Sequence, residues 1–353
     1  MLNYLVNTVL YPTFTFVNYK NILEFVPSDN RHIHEYTYDE SIQLIKTIKD
    51  FCIKIVDKKF IVSLSGGVDS MVLISIIKYL GYKVIAGHIN YNNRNETTEE
   101  QKFLEEWCNY NKIKLYVKSI NNIKRANSKR SDYEIITKNM RLDFYKTIMV
   151  KENVNTILLA HHKDDIVENI FANVCRGRYI LDLAVIKENS IVSNINIARP
   201  MISFYKDSIC DFAYVYQVPY FKDTTPDWSV RGKYRKLIYP VIEDTFTKNV
   251  KNNLIGLSNQ SFEWNELITQ EIIKPFMNKV IFIFNDYENI VQFNIANYIN
   301  YPLCFWNVVF MNIFNQFGHN CPSRKGIQTF MRSIKRFSTH NYNISISNNC
   351  KSN

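Results

Sequence analysis

The sequence contains no Gly-Lys-Ser or Gly-Lys-Thr run, no Cys-x-x-Cys pair and no stretch of about 18 uninterrupted apolar residues. The first absence excludes a Walker-type phosphate loop. The second leaves seven cysteines scattered at 52, 108, 175, 210, 304, 321 and 350. Isolated thiols argue against a structural zinc or an iron–sulfur cluster, and for reduced cysteines in a cytosol-like compartment. The third absence excludes a spanning helix. The first residues also lack the basic start and short apolar block of a secretion signal, so a cytoplasmic protein with no membrane partner is expected. Acidic residues are missing from one end: none follows Glu288, whereas Arg324, Lys325, Arg332, Lys335, Arg336 and Lys351 do. With a net charge of +10, that basic end fits a polyanion, with nucleic acid ahead of membrane.

What is present is an alternation of apolar runs and helix-period segments. From Lys59 a strand over 60–64 leads through a glycine turn to a helix over 69–80. A strand over 82–89 and a helix over 97–110 follow. Next come a strand over 113–117, a helix over 132–149, a strand over 156–160 and a helix over 164–176. Such alternation predicts an α/β domain, with a parallel sheet covered by helices on both faces. In these sheets ligands collect at the carboxyl ends of the strands. Ser65, His88 and His161 each follow a predicted strand, so all should reach one crevice. Residues 1–55 read as an N-terminal extension without an assigned role, 56–240 as the α/β domain and 241–353 as a smaller, mostly helical basic domain. Within the last, Leu254, Leu257, Trp264, Ile268 and Ile272 form an expected inward stripe, and residues 280–284 and 291–295 an expected hairpin. Ser323 is placed to cap a helix with Ile327, Phe330, Met331 and Ile334 inward. The last fifteen residues read as a polar, frayed end.

The glycine turn is Ser65-Gly66-Gly67-Val68-Asp69-Ser70. A strand, a glycine pair and a helix N-terminus bring backbone N–H groups and the positive helix dipole to one spot, where a phosphate is stable. Asp69 is out of place beside phosphates unless a divalent cation bridges them. A second cluster is Ala160-His161-His162-Lys163-Asp164-Asp165-Ile166-Val167-Glu168-Asn169. Asp165 and Glu168 share a helix face near its N-terminus, where carboxylates stay ionised and can grip an ammonium or a metal.

The loop resembles the pyrophosphate loop of the PP-loop ATP pyrophosphatase superfamily, with its adenine nucleotide alpha hydrolase-like fold. Together with His161-His162-x-Asp164-Asp165-x-x-Glu168, Arg199-Pro200-Met201, Pro219 to Asp223 and Arg231-Gly232-Lys233-Tyr234-Arg235, it resembles the tRNA(Ile)-lysidine synthase family. The resemblance implies a cytoplasmic ATP-dependent ligase. ATP would adenylate the C2 oxygen of a wobble cytidine in an isoleucine tRNA, and free lysine would displace AMP. It implies that Ser65, Gly66, Gly67, Val68, Asp69 and Ser70 hold the pyrophosphate and Mg²⁺, with His88 and His161 at the nucleotide. Asp165 and Glu168 would orient the lysine, and Lys138 and Arg141 complete the catalytic set. The chain departs from the family pattern at Tyr91, where a second His is usual, at Lys138, where an Arg is, and at Gly232, where an Asn is. Two rival readings are base thiolation by a related enzyme and RNA binding by a degenerate, non-catalytic fold.

Overall fold

The structure is a computed structural model that describes residues 3–4, 14–28, 31–55, 58–92, 96–120, 130–184, 186–223, 225, 229–247, 249–284, 289–336, 344–347 and 350–352. The chain divides into two compact units, Met1–Ala172 with Val185–Ile255, and Asn173–Ala184 with Gly256–Asn353.

The first unit opens with β1 (Asn3–Tyr4), β2 (Leu23–Phe25) and α1 (Gln43–Lys54). The α/β alternation follows as β3 (Lys59–Ser63), α2 (Val68–Tyr79), β4 (Lys83–Asn90), α3 (Thr97–Tyr110), β5 (Lys114–Ser119), α4 (Arg130–Glu152), β6 (Thr156–Leu158) and α5 (Lys163–Cys175). A hairpin, β7 (Asn189–Val192) and β8 (Ile195–Ala198), precedes α6 (Lys206–Val215), β9 (Tyr220–Phe221) and α7 (Val230–Lys233). A π-turn at Tyr234–Ile238 leads into α8 (Tyr239–Phe246) and α9 (Val250–Ile268).

The central sheet has seven strands in the order β1-β5-β4-β3-β6-β8-β7. Strands β5, β4, β3, β6 and β8 run parallel, and β1 and β7 close the two edges antiparallel. Both faces are covered, which is why the strands are continuously apolar. On β3, Phe60 and Val62 point into a core shared with α1, α2, α3 and α6, while Ile61 points into a second core built on Phe144, Tyr145 and Ile148 of α4. The expected α/β fold is therefore observed.

Two features lie outside the sequence reading. Residues 14–55 give Phe14, Phe16, Tyr19, Leu23, Ile45 and Ile48 to the first core, and Leu23 of β2 pairs with Phe221 of β9. The β7–β8 hairpin turns on Ser193 and Asn194, both at positive φ (49° and 62°), the requirement of a tight two-residue turn. Its strands are too short and polar to announce themselves by alternation.

The second unit holds α10 (Lys274–Met277), a hairpin of β10 (Ile281–Phe284) and β11 (Asn289–Gln292), α11 (Leu303–Gln316), α12 (Arg324–Arg336), and a final pair β12 (Ile344–Ser347) and β13 (Cys350–Ser352). Trp306 is fully buried among Phe276, Phe305, Phe310 and Phe330. The Ser323 cap is present, its Oγ accepting from the Gly326 N–H at 3.2 Å. The expected stripe along α9 is not the buried face: Trp264 is 58% exposed, while Ser258 and Ser261 are buried. Small serines admit the 180–183 segment, whose Leu183 N–H donates to Ser261 Oγ at 3.3 Å. A π-turn at Thr269–Ile273 then shifts the helical phase, so Ile273 rather than Ile272 enters the core. The expected hairpin forms two residues earlier on its second arm, and its connection at 285–288 lies outside the described residues. The described part of the expected frayed end forms the β12–β13 pair.

At the amino edge of the sheet, away from the strand carboxyl ends, Glu152 receives Lys59 at 2.8 Å, Lys114 at 2.6 Å and a short bond from the Tyr116 hydroxyl. Burial raises its pKa, but these donors outweigh it and hold it down at about 2, against an ordinary 4.5. A depressed folded-state pKa means stability present above the ordinary carboxylate range and lost as pH falls through it toward 2. Glu152→Gln is expected to cost about 2 kcal/mol at neutral pH and to flatten the acid limb of the stability curve, measurable by urea denaturation as a function of pH.

Candidate nucleotide and amino-acid site

The loop between β3 and α2 is organised around one hydroxyl. Ser70 Oγ accepts the N–H groups of Ser65 (3.2 Å) and Gly66 (3.1 Å) and donates to the Gly67 carbonyl at 2.9 Å. Ser65 Oγ lies 3.1 Å from it. Gly66 has φ +85°, and a Cβ there would stand 1.9 Å from Phe221 Cε2. Only glycine meets both demands. Gly67 is different. Its φ is −69° and a Cβ would meet only Ser65 Oγ, at 3.6 Å. The protein itself leaves that space open, as a cradle for a ligand does. The first intrahelical bond runs from Met71 N–H to the Gly67 carbonyl at 3.1 Å, so the amides of Val68, Asp69 and Ser70 have no intrahelical acceptor and are available to an anion. The Val68 side chain is buried in the core.

His88, expected at the nucleotide, is buried beneath the start of the loop. It is 6% exposed and its Nδ1 donates to the Leu64 carbonyl at 2.9 Å. Burial lowers its pKa, in spite of that bond, and keeps it neutral.

Strands β3 and β6 are neighbours, so the loop after one and the histidine pair after the other share an edge of the sheet. His162, 1% exposed, reaches Asp69 Oδ1 and Asp165 Oδ2 through Nε2, each at 3.6 Å, and Asp164 Oδ2 through Nδ1 at 3.5 Å. Burial pulls its pKa down, but the carboxylates of Asp164, Asp165 and Asp69 outweigh burial and raise it overall. Those carboxylates have further counterions. Asp69 Oδ2 lies 3.5 Å from Lys206 Nζ. Asp164 accepts the Lys206 N–H at 2.9 Å and Lys251 Nζ at 2.5 Å. Asp165 Oδ1 accepts Arg231 at 2.8 Å, Glu168 Oε2 lies 2.7 Å from Arg231 Nε, and Glu168 Oε1 takes a short bond from Arg235. Burial opposes ionisation of Asp164 and Asp165, and their basic neighbours reverse it, so both pKa values are lowered.

Asp69, Asp165 and Glu168 therefore lie on one edge around His162 and Arg231, and Asp165 lies near enough to His161 to pull its pKa upward. Arg141 joins them: it hydrogen-bonds Tyr91, at the position where the family pattern has a His, and it lies near enough to His161 to lower its pKa. Lys138 does not join. It is exposed on α4, and among the described residues no contact links it to the cluster. Lys206 and Lys251 escaped the sequence reading, since a single lysine at a helix start carries no pattern. Arg231 and Arg235 carry one, an i, i+4 spacing on one helix face.

The residues present fit a magnesium ion. Asp69 Oδ1 is buried and has no hydrogen-bond partner, and Mg²⁺ characteristically takes one or two carboxylates and completes its shell with substrate phosphates and water. Among the described residues no group of His, Cys, Asp and Glu is gathered to hold a metal by itself.

A phosphate loop of this form at a strand-to-helix turn defines a class, and the chain belongs to it: residues 40–240 match the PP-loop domain family. Within that class the chain is similar to tRNA(Ile)-lysidine synthases. It is 30% identical over 206 residues to that of Bacteroides thetaiotaomicron, covering 58% of this chain and 47% of that enzyme. It is 26% identical over 227 residues to that of Chlamydia muridarum, covering 64% and 70%. The chain therefore spans about half the length of the first of these relatives. Among solved structures, the U34-tRNA thiolase NcsA of Methanococcus maripaludis superposes with a TM-score of 0.49 at 17% identity, covering 67% of this chain and 86% of that one.

The two glycines separate fold from function. Gly67→Ala is expected to leave the melting temperature within about 2 °C, because the site is open, but to weaken ATP binding at least about tenfold by filling the cradle. Gly66→Ala is expected to destabilise the unit by about 2 kcal/mol or more through φ and the Phe221 clash. Differential scanning calorimetry with and without nucleotide checks both.

Proposed function

We propose that this protein is an ATP-dependent tRNA-modifying ligase that makes lysidine at a wobble cytidine of an isoleucine tRNA. The observation that carries the reading is the placement of Asp69, in the first turn after the phosphate loop, beside the buried carboxylates Asp165 and Glu168 on one sheet edge. One end of that edge suits a nucleoside triphosphate and its cation, and the other suits an ammonium.

In this reading the loop amides, Ser65 and Lys206 bind the β- and γ-phosphates, and Asp69 holds Mg²⁺, which offsets phosphate charge. The cytidine C2 oxygen attacks the α-phosphorus, and pyrophosphate leaves. The lysine amine then attacks C2 and the C2–O bond breaks, so AMP departs with that oxygen. The amine must lose a proton to react, and the carboxylates beside it are the groups placed to receive one. Both carboxylates carry guanidinium partners. Arg231, at 51% side-chain exposure, is the more exposed of the two, so an incoming ammonium takes its place rather than adding to it. The basic face of α12, with Ile327, Phe330 and Ile334 buried on the opposite side, supplies phosphate contacts for the tRNA.

Nucleoside analysis of isoleucine tRNA after incubation with ATP, lysine and the protein is expected to show lysidine, and Asp69→Asn is expected to lower turnover at least about 100-fold. Sulfur in place of lysine would move the reading to thiolation, and tRNA binding without ATP turnover to a non-catalytic RNA-binding protein. Separately, neutralising Arg332, Lys335 and Arg336 is expected to weaken tRNA binding and lower the slope of log Kd against log salt by about 2 to 3. Filter binding at several salt concentrations measures that slope, and an unchanged one removes α12 from the interface.

A further inference from the structure

His161 is held by a partner that permits only one protonation pattern. Arg199 follows β8 directly, and β8 pairs in parallel with β6, Leu158 opposite Ala198. That register brings the residues after both strands side by side, and Arg199 Nε lies 3.0 Å from His161 Nδ1. A guanidinium has donors and no acceptor. The imidazole nitrogen it meets must therefore present a lone pair, and the ring proton must sit on Nε2. Arg199 cannot readily turn away: it is 8% exposed, and its NH1 donates to the Lys187 carbonyl at 2.6 Å and to Ser190 Oγ at 3.0 Å. Its own N–H donates to the Glu188 carbonyl at 2.8 Å. The β7–β8 edge hairpin thus grips Arg199, and Arg199 grips His161.

We propose that Arg199 is a positioning residue that fixes His161 as a neutral Nε2–H donor to an oxygen of the bound nucleotide, and that His161 is therefore not the general base of the reaction. The balance of its surroundings agrees. Burial first, then Arg199, Arg231 and Arg141, lower the His161 pKa to about 4 against the opposing pull of Asp165. The position fits the role, since β6 is the immediate neighbour of the strand that carries the phosphate loop. The identity of the acceptor rests on the nucleotide-binding reading above; the tautomer does not.

Long-range ¹H–¹⁵N correlation spectra of the full-length chain test this, with the His161 signals identified by their loss in His161→Gln. The expected spectrum shows an unprotonated Nδ1 and a protonated Nε2 throughout the neutral range, and a non-hydrolysable ATP analogue shifts the Nε2–H resonance. Arg199→Met is expected to release the tautomer and move the His161 titration up toward the ordinary histidine range. Arg199→Lys, which keeps a donor-only head group, is expected to preserve Nε2–H. A wild-type spectrum with Nδ1–H or an imidazolium at neutral pH overturns the proposal without any variant having to fold. An Arg199→Met spectrum identical to wild type overturns the role of Arg199. The expected tautomer with no response to the ATP analogue, while ATP–pyrophosphate exchange is intact, overturns the nucleotide contact and leaves the ligase reading standing.

Discussion

The loop-bearing edge of this sheet holds together because Asp69, Asp164, Asp165 and Glu168 are brought together out of bulk water and are not left uncompensated. Burying carboxylates is costly unless each finds a counterion and hydrogen bonds. Here the counterions come from elsewhere in the chain, Lys206 from α6, Arg231 and Arg235 from α7 and the π-turn, and Lys251 from α9, and His162 of the turn before α5 sits among the carboxylates. The segment from α6 onward in the first unit is thus tied to the α/β sheet by charge as well as by apolar burial. Without Arg231 and Arg235 the buried carboxylates of Asp165 and Glu168 would lose their guanidinium partners.

The same constraint separates what is legible in the sequence from what is not. The phosphate loop is legible because strand, glycine pair and helix are consecutive, and the local chemistry names its ligand. The parallel sheet is legible because burial on both faces writes continuous apolar runs. Asp165 and Glu168 are legible as a pair through helical spacing. Their neutralisation by Arg231 and Arg235 is long-range, and only the i, i+4 spacing hints at it. Lys206 and Lys251 leave no hint, because a single lysine contributes one charge and no period. His88 is ambiguous for a related reason. A histidine after a strand reads the same whether it faces the ligand or, as here, donates to the Leu64 carbonyl under the loop. On α9 the period itself misleads, because the π-turn that follows changes the helical phase and buried serines replace the apolar residues a periodic count looks for.

The histidine pair at 161–162 carries the argument one step further. The two rings are adjacent in sequence and shifted in opposite directions. Around His162 the carboxylates of Asp164, Asp165 and Asp69 outweigh burial and favour its protonated form, whereas burial, with Arg199, Arg231 and Arg141, outweighs Asp165 at His161 and favours the neutral one. Neighbouring titratable groups whose surroundings push them apart are how one site gives two adjacent imidazoles different proton affinities. The division depends on which side of the turn each ring takes: one toward α2 and α6 with their Asp69 and Lys206, the other toward the edge hairpin with Arg199. The β7–β8 hairpin, which the sequence barely announces, is then more than an edge that ends the sheet. By holding Arg199 it sets the protonation state of a residue at the end of the adjacent strand, beside the phosphate loop.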